Sequence, residues 1–573
     1  MSTAVHQMRI LVVISGLSLA FTALAGRLVQ LHVFRHEELS AQAAANRALV
    51  LHRQGRRGEI RDCHGNLLAN SQSVRIVCAD PSVTARQADE MAAKLAPFLR
   101  MDAALLQARL SGSGRYVRLK QKVDEETVQQ ISRLKIKGIF FEDQYLRSYP
   151  QNALASHVIG FVDTEHKGVQ GIEAAMEQYL AGVSGYEVIE RDRKGREIRA
   201  LRGEGIEPRD GYHVVLTLDQ VIQHIVETEL ARAMAEFRPQ AGVIIVSRPK
   251  TGEILAMGCR PTFDLNHVGE ATADERRNRC ISDVAEPGST FKIVNIAGAL
   301  NEGIVRLSDT FHCENGAFLH AGRILHDAHP YGTLTVEQIL FKSSNIGAAK
   351  IGLKMGPARL YEYIRRFGFG RKTGIGLPGE VSGIVHPLSQ WTKLSITRIP
   401  MGHEVAATPI QMLMAMNAIA NGGRLMKPLV VKRAVNGHGQ VVLENRPQQV
   451  GQPISPATSA MMTAALRRVP TPEGTAAKAA VDGFDVAGKT GTAQKIEGGQ
   501  YVRKYYSSFI GYLPAADPEI SILVSLDDPR GGAYYGGSVA GPVFRRVAEK
   551  VVEYLGLPPQ KPFTQSQQVA SAQ

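Results

Sequence analysis

A serine and a lysine three residues apart are the residues of this sequence best suited to nucleophilic chemistry. They are Ser289 and Lys292, in residues 286–292, which read Glu-Pro-Gly-Ser-Thr-Phe-Lys. The Pro-Gly pair and the apolar run after it predict a helix start at Ser289, so both side chains share one helix face. A lysine with a lowered pKa can accept the serine proton, and amide groups at the helix start can help to bind an oxyanion. The segment therefore predicts a serine nucleophile and a lysine base.

The same Ser-x-x-Lys spacing recurs at Ser132 and Lys135. That copy lies in a polar, charge-rich stretch without a Pro-Gly entry, which is typical of a solvated helix face. The spacing alone therefore does not identify the nucleophile, and other segments must support Ser289.

A second segment, Lys-Ser-Ser-Asn at residues 342–345, precedes a helical stretch at residues 346–353. At a helix start, Ser343 can relay a proton to a leaving amine, and the Asn345 amide can orient a substrate peptide. When the segment is taken alone, ordinary N-capping by either residue is favoured over these roles.

A third segment carries an ammonium group, two hydroxyls and a glycine on a predicted strand: Lys489, Thr490, Gly491 and Thr492. Such a strand can bind a substrate carboxylate, and the glycine lets a substrate backbone approach closely. Lys-Thr-Gly also occurs at residues 250–252, a predicted hairpin tip, and at residues 372–374, in a Gly-rich loop. Only Lys489 lies on a strand that begins a run of three, so only this copy is placed to line a cleft.

The order Ser-x-x-Lys, Ser-x-Asn, Lys-Thr-Gly is the signature of penicillin-interacting acyltransferases. Each motif is weak alone, but their joint occurrence in this order is a strong signal.

Composition places these motifs in a large folded protein. The chain has 573 residues, of which 44% are hydrophobic and 21% are charged, so two or three globular domains are expected. The net charge of +13 is compatible with anionic membranes or wall polymers, whereas no zinc-finger or RNA-recognition pattern supports nucleic acid. The five cysteines include no Cys-x-x-Cys, which indicates neither a zinc cluster nor a disulfide framework, although one bridge remains open.

Residues 10–26 are uncharged and lie between Arg9 and Arg27. This length is near the lower limit for a membrane span, and residues 28–34 add further apolar side chains. A retained anchor is favoured, with a cleaved signal peptide as the alternative because residues 23–25 fit a cleavage site. The Lys/Arg balance does not determine orientation.

The pattern of strands and helices predicts an α+β multidomain protein. After a polar, irregular region come two strands, a helical middle, three strands and a closing helix, which predicts a five-stranded antiparallel sheet flanked by helices. The strand signals lie at residues 241–246, 253–257, 485–494, 508–513 and 520–526.

The sequence resembles the class B penicillin-binding proteins, the membrane-anchored transpeptidases that cross-link peptidoglycan, over nearly its whole length. The matching segments are residues 57–62, 65–69, 147–150, 157–160, 171–173, 286–292, 408–411, 489–493 and 540–544. The short region before the catalytic part and the overall length resemble the septal, cell-division type more than the elongation type.

The resemblance implies five regions. They are a short cytoplasmic tail (1–8), a transmembrane anchor (9–30), a pedestal or dimerisation-like domain (31–213), a penicillin-recognising transpeptidase domain (214–556) and a disordered tail (557–573).

The resemblance also implies the roles of the site residues. Ser289 attacks the penultimate D-Ala carbonyl of a donor stem peptide and forms an acyl-enzyme, with Lys292 as proton acceptor. Ser343 and Lys489 relay protons, and the backbone N–H groups of Ser289 and Thr492 form the oxyanion hole. The substrate-binding residues are Asn345, Thr490, Gly491 and Thr492.

The implied surroundings are those of an enzyme of the bacterial inner membrane, with a single span and the catalytic domain outside. No metal or organic cofactor is expected, nor nucleic acid. The expected partners are peptidoglycan stem peptides, β-lactams, the membrane and other division or elongation proteins. A separate glycosyltransferase polymerase is also expected as a partner, because the sequence shows no glycosyltransferase region. An elongation-type enzyme, a D,D-carboxypeptidase or β-lactamase, and a non-catalytic penicillin-binding scaffold remain as alternatives.

Two residues depart from the family pattern. Cys63 stands where the family usually has an arginine, so a local salt bridge is expected to be missing. His403 stands where many relatives have Gly-Gln-Gly or Gly-Tyr-Gly, and a rim residue without a catalytic role is favoured over one that adjusts the rim of the active site.

Overall fold

The computed structural model describes residues 2–191 and 197–562. The chain forms two compact units, one built from the residues up to Arg56 with Gly182–Asp210, the other from Arg57–Ala181 with the chain from Gly211 onward. The tail predicted to be disordered, 557–573, lies outside the described residues from position 563. The predicted division of the chain at residue 213 stays a prediction.

The first unit contains the apolar N-terminal helix. Its elements are the helices Ser2–Val29 and His36–Arg47, a π-helical turn Gln30–Phe34, and an antiparallel sheet in the order Ala48–Arg53, Gly185–Arg191, Glu197–Ile206. The span Ala4–Phe34 has 31 residues and a mean hydropathy of 2.0, and none of its apolar window is buried. This helix is long and apolar enough to cross a membrane, although a signal sequence has the same properties.

The second unit begins with a seven-stranded sheet. Its main path runs Val441–Glu444, Val431–Val435, His213–Leu216, Ile60–Arg61, Leu67–Ala79, Val117–Val123, and Ile139–Ser148 also pairs with Leu67–Ala79. The helices of this region are Pro81–Thr84, Ala88–Leu99, Ala103–Leu110, Glu125–Arg133, Ser156–Ile159, Gly171–Ala175 and Glu177–Leu180, with a 3-10 turn at Ala85–Gln87. The sheet therefore joins strands from both sides of residue 213.

A buried ion cluster joins three separate sequence motifs of this region. Glu173 is 0% exposed, and its carboxylate accepts hydrogen bonds from Arg57 Nε at 2.7 Å and from Arg147 Nε at 2.6 Å. Tyr149 adds its hydroxyl at 3.3 Å. One carboxylate therefore holds together segments that are far apart in the sequence.

Glu173→Gln is expected to lower the free energy of unfolding by about 3 kcal/mol or more, because it removes the carboxylate that the buried Arg147 pairs with and leaves the buried Arg57 with the partly exposed Glu177 alone. The control is Glu177→Gln, which also loses a contact to Arg57 (2.7 Å) but from a carboxylate with 31% of its side chain exposed. For this variant about 1 kcal/mol is expected. Chemical denaturation of both variants measures the difference, and equal losses would contradict the special role of Glu173.

The five-stranded antiparallel sheet predicted from the sequence is confirmed. Its order is Ile254–Arg260, Ala241–Ser247, Ile520–Asp527, Gln500–Leu513, Ala487–Glu497. Ile244 and Val246 share a core with the helices Gln220–Phe237 and Gly536–Tyr554, whereas Ile245 belongs to the core on the other face. This alternation is what a strand buried on both faces requires.

Helices of the middle segment cover that other face. They are Arg279–Ser282, Lys292–Asn301, Val336–Lys342, Asn345–Met355, Pro357–Arg366, Ser395–Arg398, Pro409–Ala420 and Pro456–Leu466. Short 3-10 turns are Val268–Glu270, Gly288–Phe291, Glu314–Gly316, Leu388–Gln390, Ile399–Met401 and Ala477–Ala479. Paired short strands are Thr310–His312 with Thr333–Thr335, Ala317–His320 with Arg323–His326, Ile384–Val385 with Val405–Ala406, and Leu425–Met426 with Gln449–Gly451.

Candidate active site

The segment carrying Ser289 is a short 3-10 turn, Gly288–Phe291, that leads directly into the helix Lys292–Asn301. Gly288 has φ 56°, a conformation that glycine adopts without strain, and a Cβ at this position would lie 3.1 Å from the Cβ of Ala493. The predicted helix start is confirmed. Ser289 is partly exposed, whereas Lys292 is 0% exposed.

Lys292 lies at the centre of a small polar network. Its Nζ is 2.9 Å from Ser289 Oγ, 2.6 Å from the Ser343 carbonyl oxygen and 2.8 Å from Asn345 Oδ1. A neutral amine can donate two hydrogen bonds to the two carbonyl oxygens and still accept the proton of the Ser289 hydroxyl.

The charge state of Lys292 fits that role. Burial lowers the pKa of Lys292 to about 7, and the negative charge of Asp327 opposes the effect. Near neutral pH the side chain is therefore neutral in a substantial part of the molecules and can act as a base.

Ser343 bridges the two lysines of the site. The helix Val336–Lys342 ends at Ser343, which has a left-handed backbone conformation (φ 62°). This unusual backbone directs both its carbonyl and its hydroxyl towards Lys292, and Ser343 Oγ lies 3.1 Å from Lys292 Nζ and 2.9 Å from Lys489 Nζ.

The helix after Ser343 is capped by a different residue from the two considered in the sequence. Ser344 is the N-cap of Asn345–Met355, and its hydroxyl accepts a hydrogen bond from Gly347 N at 2.9 Å. The N-capping alternative is therefore wrong for Ser343 and for Asn345. Asn345 instead contacts Lys292 and donates from Nδ2 to the His326 carbonyl oxygen at 2.9 Å.

Asp327 is a functional candidate that sequence reasoning missed. Its Oδ1 accepts from the backbone N–H groups of Asn345 and Ile346, and its Oδ2 accepts from Ser344 Oγ at 2.7 Å. It therefore holds the start of the helix that carries Asn345, and its charge acts on Lys292. No spacing rule links position 327 to the three motifs, so the sequence offered no signal for it.

Asp327→Asn is expected to move the pH dependence of acylation to lower pH. The carboxylate raises the pKa of Lys292, so its removal lets that pKa fall further. Since the base is active above its pKa, the rising limb of the rate profile shifts to lower pH. The maximal rate should also fall by about tenfold, since the helix start loses a charge-assisted contact. Acylation by a fluorescent penicillin between about pH 5.5 and 9, a range that covers the lowered pKa of Lys292, measures both effects. A shift to higher pH would contradict the assignment.

Lys489 lies on the edge strand Ala487–Glu497 and is 0% exposed. Burial, and then the positive charge of Lys292, lower the pKa of Lys489 well below its usual value. Lys489 Nζ also contacts the Thr490 carbonyl oxygen at 3.2 Å. The other two Lys-Thr-Gly copies lie in a turn and in a loop, as predicted.

Gly491 allows this strand to approach the nucleophile segment. A Cβ at Gly491 would lie 2.4 Å from Ser508 Oγ and 2.9 Å from Thr290 Cγ2, so any side chain would push the two segments apart. Beside it, Thr490 Oγ1 is 2.9 Å from Thr475 Oγ1, and Thr492 Oγ1 accepts from Gly536 N at 3.0 Å. The structure thus brings all eight predicted site residues into one region.

Three further residues form a hydrogen-bonded group at the rim. Tyr501 Oη is 3.0 Å from Glu286 Oε2 and 3.1 Å from His403 Nδ1. Burial, assisted by the positive charges of Arg398 and Lys292, lowers the pKa of His403 to about 4. His403 is therefore neutral at physiological pH. Tyr501 joins its hairpin to the segment before Ser289, and His403 lies beside it at the rim. The role of His403 stays a prediction.

Taken together, the groups can activate a hydroxyl and stabilise a developing negative charge. A neutral amine lies next to Ser289, a second hydroxyl connects it to Lys489, and Gly491 lets the strand that carries Lys489 pack against the nucleophile segment. This arrangement is suited to acyl transfer through a covalent serine ester.

Comparison with known proteins agrees with this chemistry. Residues 242–549 match the family model for the penicillin binding protein transpeptidase domain, and residues 52–216 match that for the penicillin-binding protein dimerisation domain. The probable peptidoglycan D,D-transpeptidase PenA of Neisseria meningitidis is 30% identical over 564 residues, covering 97% of this chain and 94% of that protein.

Two other proteins are similarly related. The peptidoglycan D,D-transpeptidase FtsI of Escherichia coli is 30% identical over 549 residues, covering 94% of this chain and 91% of that protein. The crystal structure of a peptidoglycan synthetase from Bifidobacterium adolescentis superposes with a TM-score of 0.73 at 28% identity, covering 90% of this chain and 98% of that one.

Proposed function

The chain belongs to the class B penicillin-binding proteins, a family of peptidoglycan D,D-transpeptidases, and we propose that it cross-links stem peptides through an acyl-enzyme on Ser289. The observation that carries this proposal is the placement of the completely buried Lys292 Nζ 2.9 Å from Ser289 Oγ. The pKa of about 7 for Lys292 makes it a base that is available at neutral pH.

In the first step, neutral Lys292 accepts the Ser289 proton while Oγ attacks the carbonyl carbon of the penultimate D-Ala. The backbone N–H groups of Ser289 and Thr492 stabilise the oxyanion. The C–N bond to the terminal D-Ala then breaks, and its nitrogen receives a proton through Ser343, which lies between the two lysines. Free D-Ala leaves, and the donor peptide remains as an ester on Ser289.

In the second step, the amine of an acceptor stem peptide attacks the ester carbonyl. The amine loses a proton to the same relay, the new amide forms, and Ser289 Oγ regains its proton. Asn345, Thr490, Gly491 and Thr492 are proposed to bind the donor peptide. A β-lactam ring presents an amide that opens on Ser289 but keeps its leaving amine tethered, so the ester persists.

The proposed setting is septal wall synthesis outside the inner membrane, with a separate glycosyltransferase polymerase as partner. The exposed apolar helix Ala4–Phe34 supports a single membrane anchor, and the short pedestal supports the septal type. Localising a tagged chain to the septum or to the side wall distinguishes this role from that of an elongation-type enzyme.

Partitioning of the acyl-enzyme tests the reaction itself. A donor peptide ending in D-Ala-D-Ala is supplied with a D-amino acid as acceptor amine, and the aminolysis and hydrolysis products are quantified. We expect aminolysis to dominate and the penicilloyl ester to be long-lived. Rapid release of hydrolysed penicillin would instead indicate a carboxypeptidase or β-lactamase, and penicillin binding without any product would indicate a non-catalytic scaffold.

A further inference from the structure

A cysteine, a histidine and an aspartate meet at a turn of the second unit, in a cluster that the proposed reaction does not use. Cys63 Sγ, the His64 ring nitrogen and an Asp219 carboxylate oxygen all lie within 4.8 Å of one another. His64 Nε2 is 3.0 Å from Asp219 Oδ2.

The two segments that supply these side chains are held rigidly against each other. Cys63 N donates to the Leu218 carbonyl oxygen at 2.8 Å. The buried Asp62 accepts from His64 N at 2.9 Å and, with its other oxygen, from Gln220 N at 3.1 Å. The two segments that carry the donor atoms are therefore positioned before any ligand arrives, which limits the entropy lost on binding.

The two oxygens of the Asp219 carboxylate make different contacts. Oδ1 caps the helix Gln220–Phe237 by accepting from Val221 N and Ile222 N, whereas Oδ2 faces His64 and the Tyr554 hydroxyl, which is 3.2 Å away. Oδ2 can therefore bind a cation without loss of the helix cap.

We propose that Cys63, His64 and Asp219 bind one divalent transition-metal cation of the zinc class. A thiolate, an imidazole and a carboxylate are the ligand types of zinc, which takes them at about 2.0–2.3 Å in tetrahedral geometry with a fourth position for water. A mixed S, N, O set disfavours Mg²⁺ and Ca²⁺, which require oxygen ligands. The His64 side chain is 59% exposed, so its ring is free of packing constraints that would prevent it from turning towards a cation. The cation would cross-link the turn at Cys63 to the start of the helix Gln220–Phe237.

Metal titration of the full chain in detergent tests the proposal. Zn²⁺ alone is expected to bind at one per chain, and Co²⁺ in its place should give a sulfur-to-cobalt charge-transfer band. Cys63→Ser should remove that band, and His64→Ala should weaken Zn²⁺ binding by at least about tenfold. The matched control is His267→Ala, whose ring nitrogen also lies 3.0 Å from a carboxylate, Asp264, and which should change nothing.

Absence of the charge-transfer band in the unchanged chain would overturn the proposal without any variant, as would equal Zn²⁺ binding by the unchanged chain and Cys63→Ser. Penicillin labelling of Ser289 is expected to survive both site variants. The proposal of a metal site and the proposal of a transpeptidase can therefore be refuted independently of each other.

A second, independent observation concerns two buried cysteines. Cys259, on the strand Ile254–Arg260, and Cys280, in the helix Arg279–Ser282, have their sulfur atoms 3.4 Å apart, and they are 1% and 0% exposed. Both are thiols in this structure. To form a bond, the two sulfurs must come closer, to the S–S length of about 2.05 Å.

We infer that Cys259 and Cys280 form a disulfide when the domain folds outside the cytoplasm, an inference that rests on the proposed location. Each thiol loses a proton, and the pair gives two electrons to a protein or small-molecule disulfide, which becomes two thiols. Because both sulfurs are buried in the folded domain, the bond forms before folding is complete. It closes a loop of 21 residues and ties the segment leading to Ser289 to the edge strand of the sheet.

Thiol counting on chain isolated from membranes tests the bond. After blocking and denaturation, mass spectrometry should find three modified cysteines of the five, and all five after reduction. Cys259→Ser should give four modified cysteines both with and without reduction, and its melting temperature should be about 5 °C lower. The control Cys78→Ser should still have two cysteines protected from modification before reduction. Five modified cysteines without reduction would overturn the inference. Labelling of Ser289 in intact cells by an impermeant penicillin tests the proposed location and the proposed nucleophile, and its outcome does not depend on the disulfide.

Discussion

Replacing Ser289 with alanine is expected to abolish covalent labelling of the chain by a fluorescent penicillin. Alanine has no atom that can form the ester, and no neighbouring group in the network replaces it, because Lys292 is completely buried and Ser343 is held between two lysines. The loss should be at least about 10³-fold, the scale seen when a catalytic nucleophile is removed. Gel fluorescence after incubation with the labelled penicillin measures it.

Ser132→Ala is the matched control, since Ser132 has the same spacing to a lysine but lies on an exposed helix face of Glu125–Arg133. This variant should label like the unchanged chain. Labelling that survives in Ser289→Ala would refute the assignment of the nucleophile.

Replacing Lys292 with alanine is expected to slow acylation by about 10²–10⁴-fold, the usual contribution of a general base. The pH profile should change as well. In the unchanged chain the rate rises through about pH 7, where the Lys292 ammonium loses its proton. In the variant this rising limb should disappear, because the group that titrates is gone.

The fold should survive Lys292→Ala. The variant leaves the Ser343 carbonyl and Asn345 Oδ1 without one partner, which costs about 1–3 kcal/mol, but it also removes an ammonium group that burial penalises. Stopped-flow acylation and a thermal melt together separate the two effects. An unchanged acylation rate in a folded variant would exclude Lys292 as the base.

Much of the catalytic part could be predicted from local sequence patterns. The strand signals, the helix start at Ser289 and the turns at the two other Lys-Thr-Gly copies depend on periodicity and on Pro-Gly punctuation, which act over a few residues. The structure confirms them. The strand Gln500–Leu513 begins earlier than predicted because its first half pairs only with Ala487–Glu497 in an exposed hairpin, where the apolar pattern is weak.

The pedestal motifs show the limit of such patterns. Residues 57–62, 147–150 and 171–173 were recognised in the sequence only as short segments that match the family pattern. Their charged side chains meet at Glu173 in the interior, where Arg57 is 116 residues away in sequence. Charge pairing at that separation follows from the path of the chain, so no local rule predicts it.

By itself, the sequence determined the identity of the three motifs, the type of the elements that carry them and the family to which they point, because these depend on residue types within short segments. Only the tertiary structure decided how the motifs act on one another. It gave Lys292 its burial, placed Ser343 between the two lysines, made Ser344 the helix cap and brought Asp327 and His403 to the site. The physical reason is that a pKa and a hydrogen bond depend on the distance between atoms in space, and chain segments many residues apart set those distances only when the core packs.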